Sequence, residues 1–235
     1  VAAIEQSDGD EGAPAQPGGR GTKGEALRIE LSRRERSGAR RVAESKATVP
    51  HLYVTRTLAL EEAPADLTAS AISACAGALR AHPRLNSSYR DGEIEEHGRI
   101  NVGFTVESED GPLVPIVFDA DKKDVSEIES ELSRLSRRAR DGALTSPELS
   151  GGTFTISALA SGADSLLPAV VPGQSAHLAV GRPREAAIAR SGEVRAGHAL
   201  DLTLACDHRA VRPPNAAAFL EQVASALEGP AAAGL

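Results

Sequence analysis

Polar, reactive side chains crowd one place in this 235-residue chain. In LACDHRAVRPPNAAAFL, Asp207, His208 and Arg209 stand at the end of an otherwise apolar strand pattern and directly before a helix pattern. A histidine at such a junction can be held by packing and still reach a cleft, where imidazole serves as a general base. The residues alone leave a second reading open, a structural histidine bonded to Asp207 or to a backbone carbonyl. Ser157, in TFTISAL, reads by itself as an exposed strand serine. Paired with His208 it would suggest a serine hydrolase, but no G-x-S-x-G elbow surrounds it. His177 lies inside the strand pattern SAHLAVG and reads first as a histidine satisfied by a partner or an interface, and second as a new site residue. Cys75 and Cys206 are far apart and match no metal or redox spacing, so each reads as a small buried apolar residue, and no metal site is expected. GGRGTKG (Gly18 to Gly24) is not preceded by a strand or closed by GK[ST], as a phosphate loop would be.

These residues need elements to hold them. Ser32 with Glu35 forms a capping box ahead of a basic helix ending near Lys46. After Pro50, HLYVTRTLAL (His51 to Leu60) is rich in β-branched and apolar residues and predicts a strand. Asp66 to His82 predicts an Ala-rich helix stopped by Pro83, followed by the turn-rich NSSYRDGE. Ile100, Val102, Phe104 and Val106 alternate strictly and PLVPIVF follows a DG turn, so two neighbouring strands are expected. Asp124 and Glu127 open a second capping box for a helix buried through Ile128, Leu132, Leu135 and Ala139 and ending before Gly142. Strands are expected at Thr153–Leu159, Ser175–Gly181, Glu185–Arg190 and Leu200–Cys206, then a helix from Pro213 to about Glu228. Strands with helices segregated between them predict an α+β fold, a two-layer sandwich of a mixed sheet covered by helices.

Composition bounds the function. Lys+Arg 26 against Asp+Glu 33 gives a net charge of −7, which argues against a nucleic-acid partner, since neutralising phosphates needs a dense basic face. SELSRLSRRARDG keeps apolar residues at helical spacing and reads as an amphipathic helix, not a nucleic-acid contact. No apolar run reaches membrane-spanning length and no signal peptide opens the chain, so a soluble, cytoplasmic protein without a membrane partner is expected. Residues 1–27 lack apolar periodicity and read as a disordered tail or linker, residues 28–229 as the domain, and residues 230–235 as a C-terminal tail.

The DHR stretch resembles the D-H-R-x-x-D-G signature of the dihydrolipoyl acyltransferases of 2-oxoacid dehydrogenase complexes, which share a fold with chloramphenicol acetyltransferase. LSRRERSGARRVAESKATVPHLYVT, AHPRLNSSY, INVGFTVESEDGPLVPIVFDAD and LSGGTFTISAL resemble further family segments in the same order, over roughly Arg28 to Glu228. The resemblance implies that His208 is the base removing the proton from the coenzyme A thiol, and that Ser157 is the donor to the tetrahedral oxyanion. Asp207, Arg209 and the residue at Arg212 would organise the site. Coenzyme A would be a substrate, with the lipoyl group on a separate domain not present in this chain, and the residues that hold coenzyme A are not assigned. KATVPH and its upstream arginines read equally as a phosphate contact or a solvated helix face. The implied partners are two further copies forming a trimer with sites between subunits, a larger cage built from trimers, the lipoyl domain, and the dehydrogenase subunits of the complex.

The departures matter as well. Where the family places Asp or Asn and then Gly, this chain has Arg212 and Pro213. In the family that acid pairs with an arginine of the opening helix, for which Arg40 or Arg41 is the match, so like charges would meet here. A guanidinium near His208 would disfavour the imidazolium formed in catalysis and weaken the base. The family's P-E-A-A-I-L-G-V-G becomes GQSAHLAVG, which brings in His177, and the connection before Asp66 is shorter than usual. Two alternatives therefore stand beside the acyltransferase: a catalytically impaired assembly homologue, and a free-standing coenzyme A-dependent acyltransferase acting on a small molecule.

Overall fold

The computed structural model describes residue 24 and residues 26–108, 111–159, 162–190 and 192–229. The expected tails, GGRGTKG and Asp110 of the DG turn lie outside these, apart from Gly24, Ala26 and Leu27.

Both capping boxes form. Ser32 Oγ accepts from the Glu35 N–H while Glu35 accepts from the Ser32 N–H, opening α1 (Arg33–Thr48). Asp124 and Glu127 do the same for α3 (Val125–Arg140), whose Ile128, Leu132, Leu135 and Ala139 are buried on one face. Asp66 caps α2 (Leu67–Ala81), and Pro213 occupies the first turn of α4 (Pro213–Glu228), where its missing N–H costs nothing.

The strands are β1 (His51–Leu60), β2 (Ser87–Arg90), β3 (Glu93–Glu96), β4 (Val102–Phe104), β5 (Ile116–Val117), β6 (Phe154–Ala158), β7 (Ala176–Val180), β8 (Arg184–Arg190) and β9 (Glu193–Asp207). The main sheet runs β1-β9-β7-β6-β4-β5, with β8 on the first half of β9. β6 is parallel to β4 and β7, and the other pairs are antiparallel. The expected α+β sandwich with a mixed sheet is what the chain forms.

The two faces differ. Leu200, Leu202, Leu204 and Cys206 of β9, Leu178 of β7 and Phe154 and Ile156 of β6 are fully buried, in a core shared with α2, α3 and α4. Phe154 meets Phe219 of α4 at a centroid distance of 5.7 Å. The intervening residues, Thr203, His177, Ser157 and Thr155, fall on the second face, because side chains alternate along a strand. α1 lies apart from the core and buries only Ser45.

Two features differ from expectation. NSSYRDGE is not merely a turn. It folds into the β2–β3 hairpin, with Asp91 (φ 46°) and Gly92 (φ 90°) both left-handed, as a two-residue hairpin loop requires. β9 also begins seven residues before the expected strand at Leu200, because Glu193–Ala199 pairs with β8 in a largely solvent-facing hairpin that needs no apolar alternation.

Candidate active site

The end of β9 is closed by a buried acid. Asp207 is 2% exposed; its carboxylate accepts from the Arg209 N–H (3.0 Å), Nε (2.9 Å) and Nη2 (2.6 Å). Its carbonyl accepts from the N–H groups of Ala210 and Val211. The Arg209 guanidinium lies 4.2 Å over the Tyr89 ring, so the hairpin absent from the sequence reading supplies the platform for this ion pair. Such a turn leaves His208 facing outward. Its N–H donates to the Pro50 carbonyl, and its exposed ring has Nδ1 3.2 Å from the Val211 carbonyl oxygen. A carbonyl only accepts, so Nδ1 carries a hydrogen, and in the neutral form of the ring the lone pair is on Nε2. Of the two structural partners expected for His208, the carbonyl is the one present, while Asp207 is taken by Arg209.

Arg212 is the N-cap of α4 and makes no side-chain capping bond. Arg40 and Arg41 are exposed on α1, and Arg41 lines a cavity of about 360 Å³ with Gly103, Thr155 and Gln174.

Ser157 stands elsewhere. The register Ser157↔Ala179↔Thr203 puts it level with Thr203, five residues before His208. That is about 17 Å along the strands and two strand spacings of roughly 4.8 Å across. Within one chain His208 and Ser157 do not share a reacting atom.

His177, by contrast, is beside Ser157. Ser157 Oγ is 2.9 Å from His177 Nε2 and 2.6 Å from Thr105 Oγ1. His177 Nδ1 is 2.7 Å from the Ala169 carbonyl oxygen, and burial pushes the imidazole down to about 4, so it is neutral at ordinary pH. The next residue is held from the other side: the Val170 N–H donates to His51 Nε2 (3.0 Å) and its carbonyl accepts from Ser45 Oγ (2.6 Å). Thr105, His51 and Tyr89 were missed in the sequence. Thr105 was within reach of it, since it is an odd position in the alternating run Ile100 to Val106 and so belongs to the second face.

Both cysteines are buried and free, and burial raises both thiols, that of Cys206 to about 12, which leaves neither as a nucleophile. Among the described residues no group of three or more His, Cys, Asp or Glu could hold a metal, and no helix is long and apolar enough to cross a membrane.

The mixed sheet thus carries α2, α3 and α4 on one face and the His208 turn at the end of β9. The model of the family 2-oxoacid dehydrogenases acyltransferase (catalytic domain) matches residues 23–235, and the chain belongs to that family. It is 34% identical over 213 residues to the Arabidopsis thaliana mitochondrial dihydrolipoyllysine-residue acetyltransferase component 3 of pyruvate dehydrogenase complex, covering 82% of this chain and 40% of that protein. The chain spans between 40% and 51% of the length of several such relatives. Its fold is similar to that of an Azotobacter vinelandii dihydrolipoamide acetyltransferase (TM-score 0.84, 23% identity, 92% of this chain and 97% of that one), where a serine, a histidine and an asparagine have been investigated for roles in catalysis. It is equally similar to the cubic core of the pyruvate dehydrogenase multienzyme complex (TM-score 0.84, 24% identity, 92% and 97%).

Proposed function

We propose that this chain is an acyltransferase core that moves an acyl group between a dihydrolipoyl thiol and coenzyme A in a 2-oxoacid dehydrogenase complex. The observation that carries this reading is the His208 ring, exposed at the end of β9 with Nδ1 fixed on the Val211 carbonyl and Nε2 open. A thiol with a pKa near 8.5 is mostly protonated at neutral pH, so a base at Nε2 raises the reactive thiolate. The coenzyme A sulfur then attacks the acyl carbon and the carbonyl pair moves onto oxygen. The tetrahedral intermediate collapses by breaking the bond to the dihydrolipoyl sulfur, which takes back the proton from His208. The hydroxyl cluster at Ser157 faces the oxyanion; losing one such donor typically costs about 2.7–4 kcal/mol.

The separation of His208 from Ser157 favours sites built between subunits, His208 from one and Ser157 from its neighbour, and the family resemblance makes that assembly a trimer. A cage of trimers is the larger assembly, as in the cubic core that the fold resembles. Residues 28–229 are the catalytic domain in this reading, with residues 1–27 a tail or linker and residues 230–235 a C-terminal tail. The lipoyl group arrives on a separate domain, the dehydrogenase subunits of the complex are the partners, and the compartment is cytoplasmic. Asp207 and Arg209 are positioning residues.

One observation favours a second reading. Arg212 occupies the α4 N-cap without a capping bond, as an impaired assembly homologue would tolerate. Acyl transfer from acetyl-, succinyl- or isobutyryl-coenzyme A to free dihydrolipoamide separates the two, since the assembly homologue gives none.

A further inference from the structure

Three polar side chains meet on the second face of the sheet, and the main chain fixes the order of their protons. The Ala169 carbonyl can only accept, so the hydrogen of the neutral His177 ring sits on Nδ1, and Nε2 is an acceptor. The group 2.9 Å from Nε2 is the Ser157 hydroxyl, whose single proton is therefore committed to His177. The 2.6 Å contact between Ser157 and Thr105 must then be donated by Thr105. The hydroxyl best known for its place in the motif is thus the one whose proton is already in use.

Resting on the acyltransferase reading above, we propose that Thr105 is the side chain that donates to the oxyanion in this protein, with Ser157 and His177 as the positioning pair behind it. Turning the Ser157 proton towards an oxyanion would strip the bond from His177 Nε2, in a residue only 8% exposed where no water replaces it readily. Turning the Thr105 proton leaves Ser157 Oγ with its bond to His177 intact and gives up only one accepted bond at a half-buried hydroxyl. The register Phe104↔Ile156 sets Thr105 beside Ser157 on the neighbouring parallel strand, so rotation about the Thr105 Cβ–Oγ1 bond is the only movement needed to redirect its proton. His177 thereby decides which hydroxyl acts.

Two measurements test this on the full chain. The first is the tautomer of the His177 ring, read from imidazole nitrogen chemical shifts at neutral pH. Hydrogen on Nδ1 is expected; hydrogen on Nε2 would make Ser157 the acceptor, free its proton, and overturn the inference whatever the activity. The second is kcat for Thr105→Val and Ser157→Ala, each in the native and the His177→Ile background, with coenzyme A and dihydrolipoyl substrates. Thr105→Val is expected to lower kcat by about 10²–10³-fold with Thr105→Ser restoring most of it, and Ser157→Ala to cost less than about tenfold. With His177→Ile the Ser157 proton is released and the order of the two losses reverses. A Ser157→Ala loss as large as that of Thr105→Val in the native background contradicts the assignment. If the native chain transfers no acyl group while the tautomer is as expected, the acyltransferase reading falls, and this inference falls with it.

Discussion

His208, one residue past the end of β9, lies two strand places across from Ser157 on β6 and five residues out of level with it, the separation on which the proposed division of the site between subunits rests. Co-expression tests this division. His208→Ala chains and chains carrying both Thr105→Val and Ser157→Ala should each be inactive alone, and mixed trimers should recover activity. No recovery in trimers shown by mass to be mixed would place both groups in one subunit.

Arg212 should limit the protein in two ways. Pro213 and Pro214 have no N–H and the Asn215 and Ala216 N–H groups already donate to the Arg212 carbonyl, so Arg212→Asp acts by replacing a cation with an anion at the N-terminus of α4 and is expected to raise stability by about 0.3–1 kcal/mol in urea unfolding. It also removes a positive charge four residues from His208 in sequence, which would favour the imidazolium formed in the proposed catalysis, so kcat should rise. A lower kcat would show that Arg212 has been recruited to the site.

Arg209→Met should expose how the base is held. It leaves the Asp207 carboxylate buried without its bidentate partner and takes the cation from the Tyr89 face. Breaking a buried pair costs about 3–5 kcal/mol, and the side chain's 35% exposure reduces this to roughly 1–3 kcal/mol. Urea midpoints measure it. A change below about 0.5 kcal/mol would mean that the turn does not depend on the pair.

Acid should weaken the fold in two stages. Burial holds His177 at about 4, below the ordinary 6.5, and burial also lowers His51. The unfolded chain therefore takes up protons first, and this stability, present above about pH 6.5, is lost as pH falls towards 4. Asp119, held at about 2 chiefly by Arg99, and Glu148, held at about 2 chiefly by the Thr145 N–H, lose theirs only below about pH 4.5. From pH 7 to 5 the native chain should lose up to about 2 kcal/mol through His177, and His177→Ile should lose distinctly less. Equal losses in both would contradict a neutral, buried His177.

Much of this architecture was legible in the residues. Ser32, Asp124 and Pro213 mark helix starts by local chemistry, and the alternation of Leu200 to Cys206 marks a strand facing the core. The β2–β3 hairpin and the first half of β9 were not, because pairing with a neighbour and not an apolar face holds them, although β8 was expected at Glu185–Arg190 and Asp91-Gly92 was a usable turn signal. The motif reading found His208 and Ser157 separately. It could not order the protons around Ser157, because these depend on Ala169 and Thr105, 8 and 72 residues from His177 in sequence and brought to it only by the packed sheet.

The central claim is that His208 Nε2 is the base of an acyl transfer to or from coenzyme A. Its most direct test is the rate of acyl transfer between acetyl-, succinyl- and isobutyryl-coenzyme A and free dihydrolipoamide, for the native protein and His208→Ala. The account predicts turnover with at least one donor and a loss of at least about 10²-fold in His208→Ala, without a matching change in urea midpoint. Turnover that survives His208→Ala, or no turnover with any donor, would contradict it.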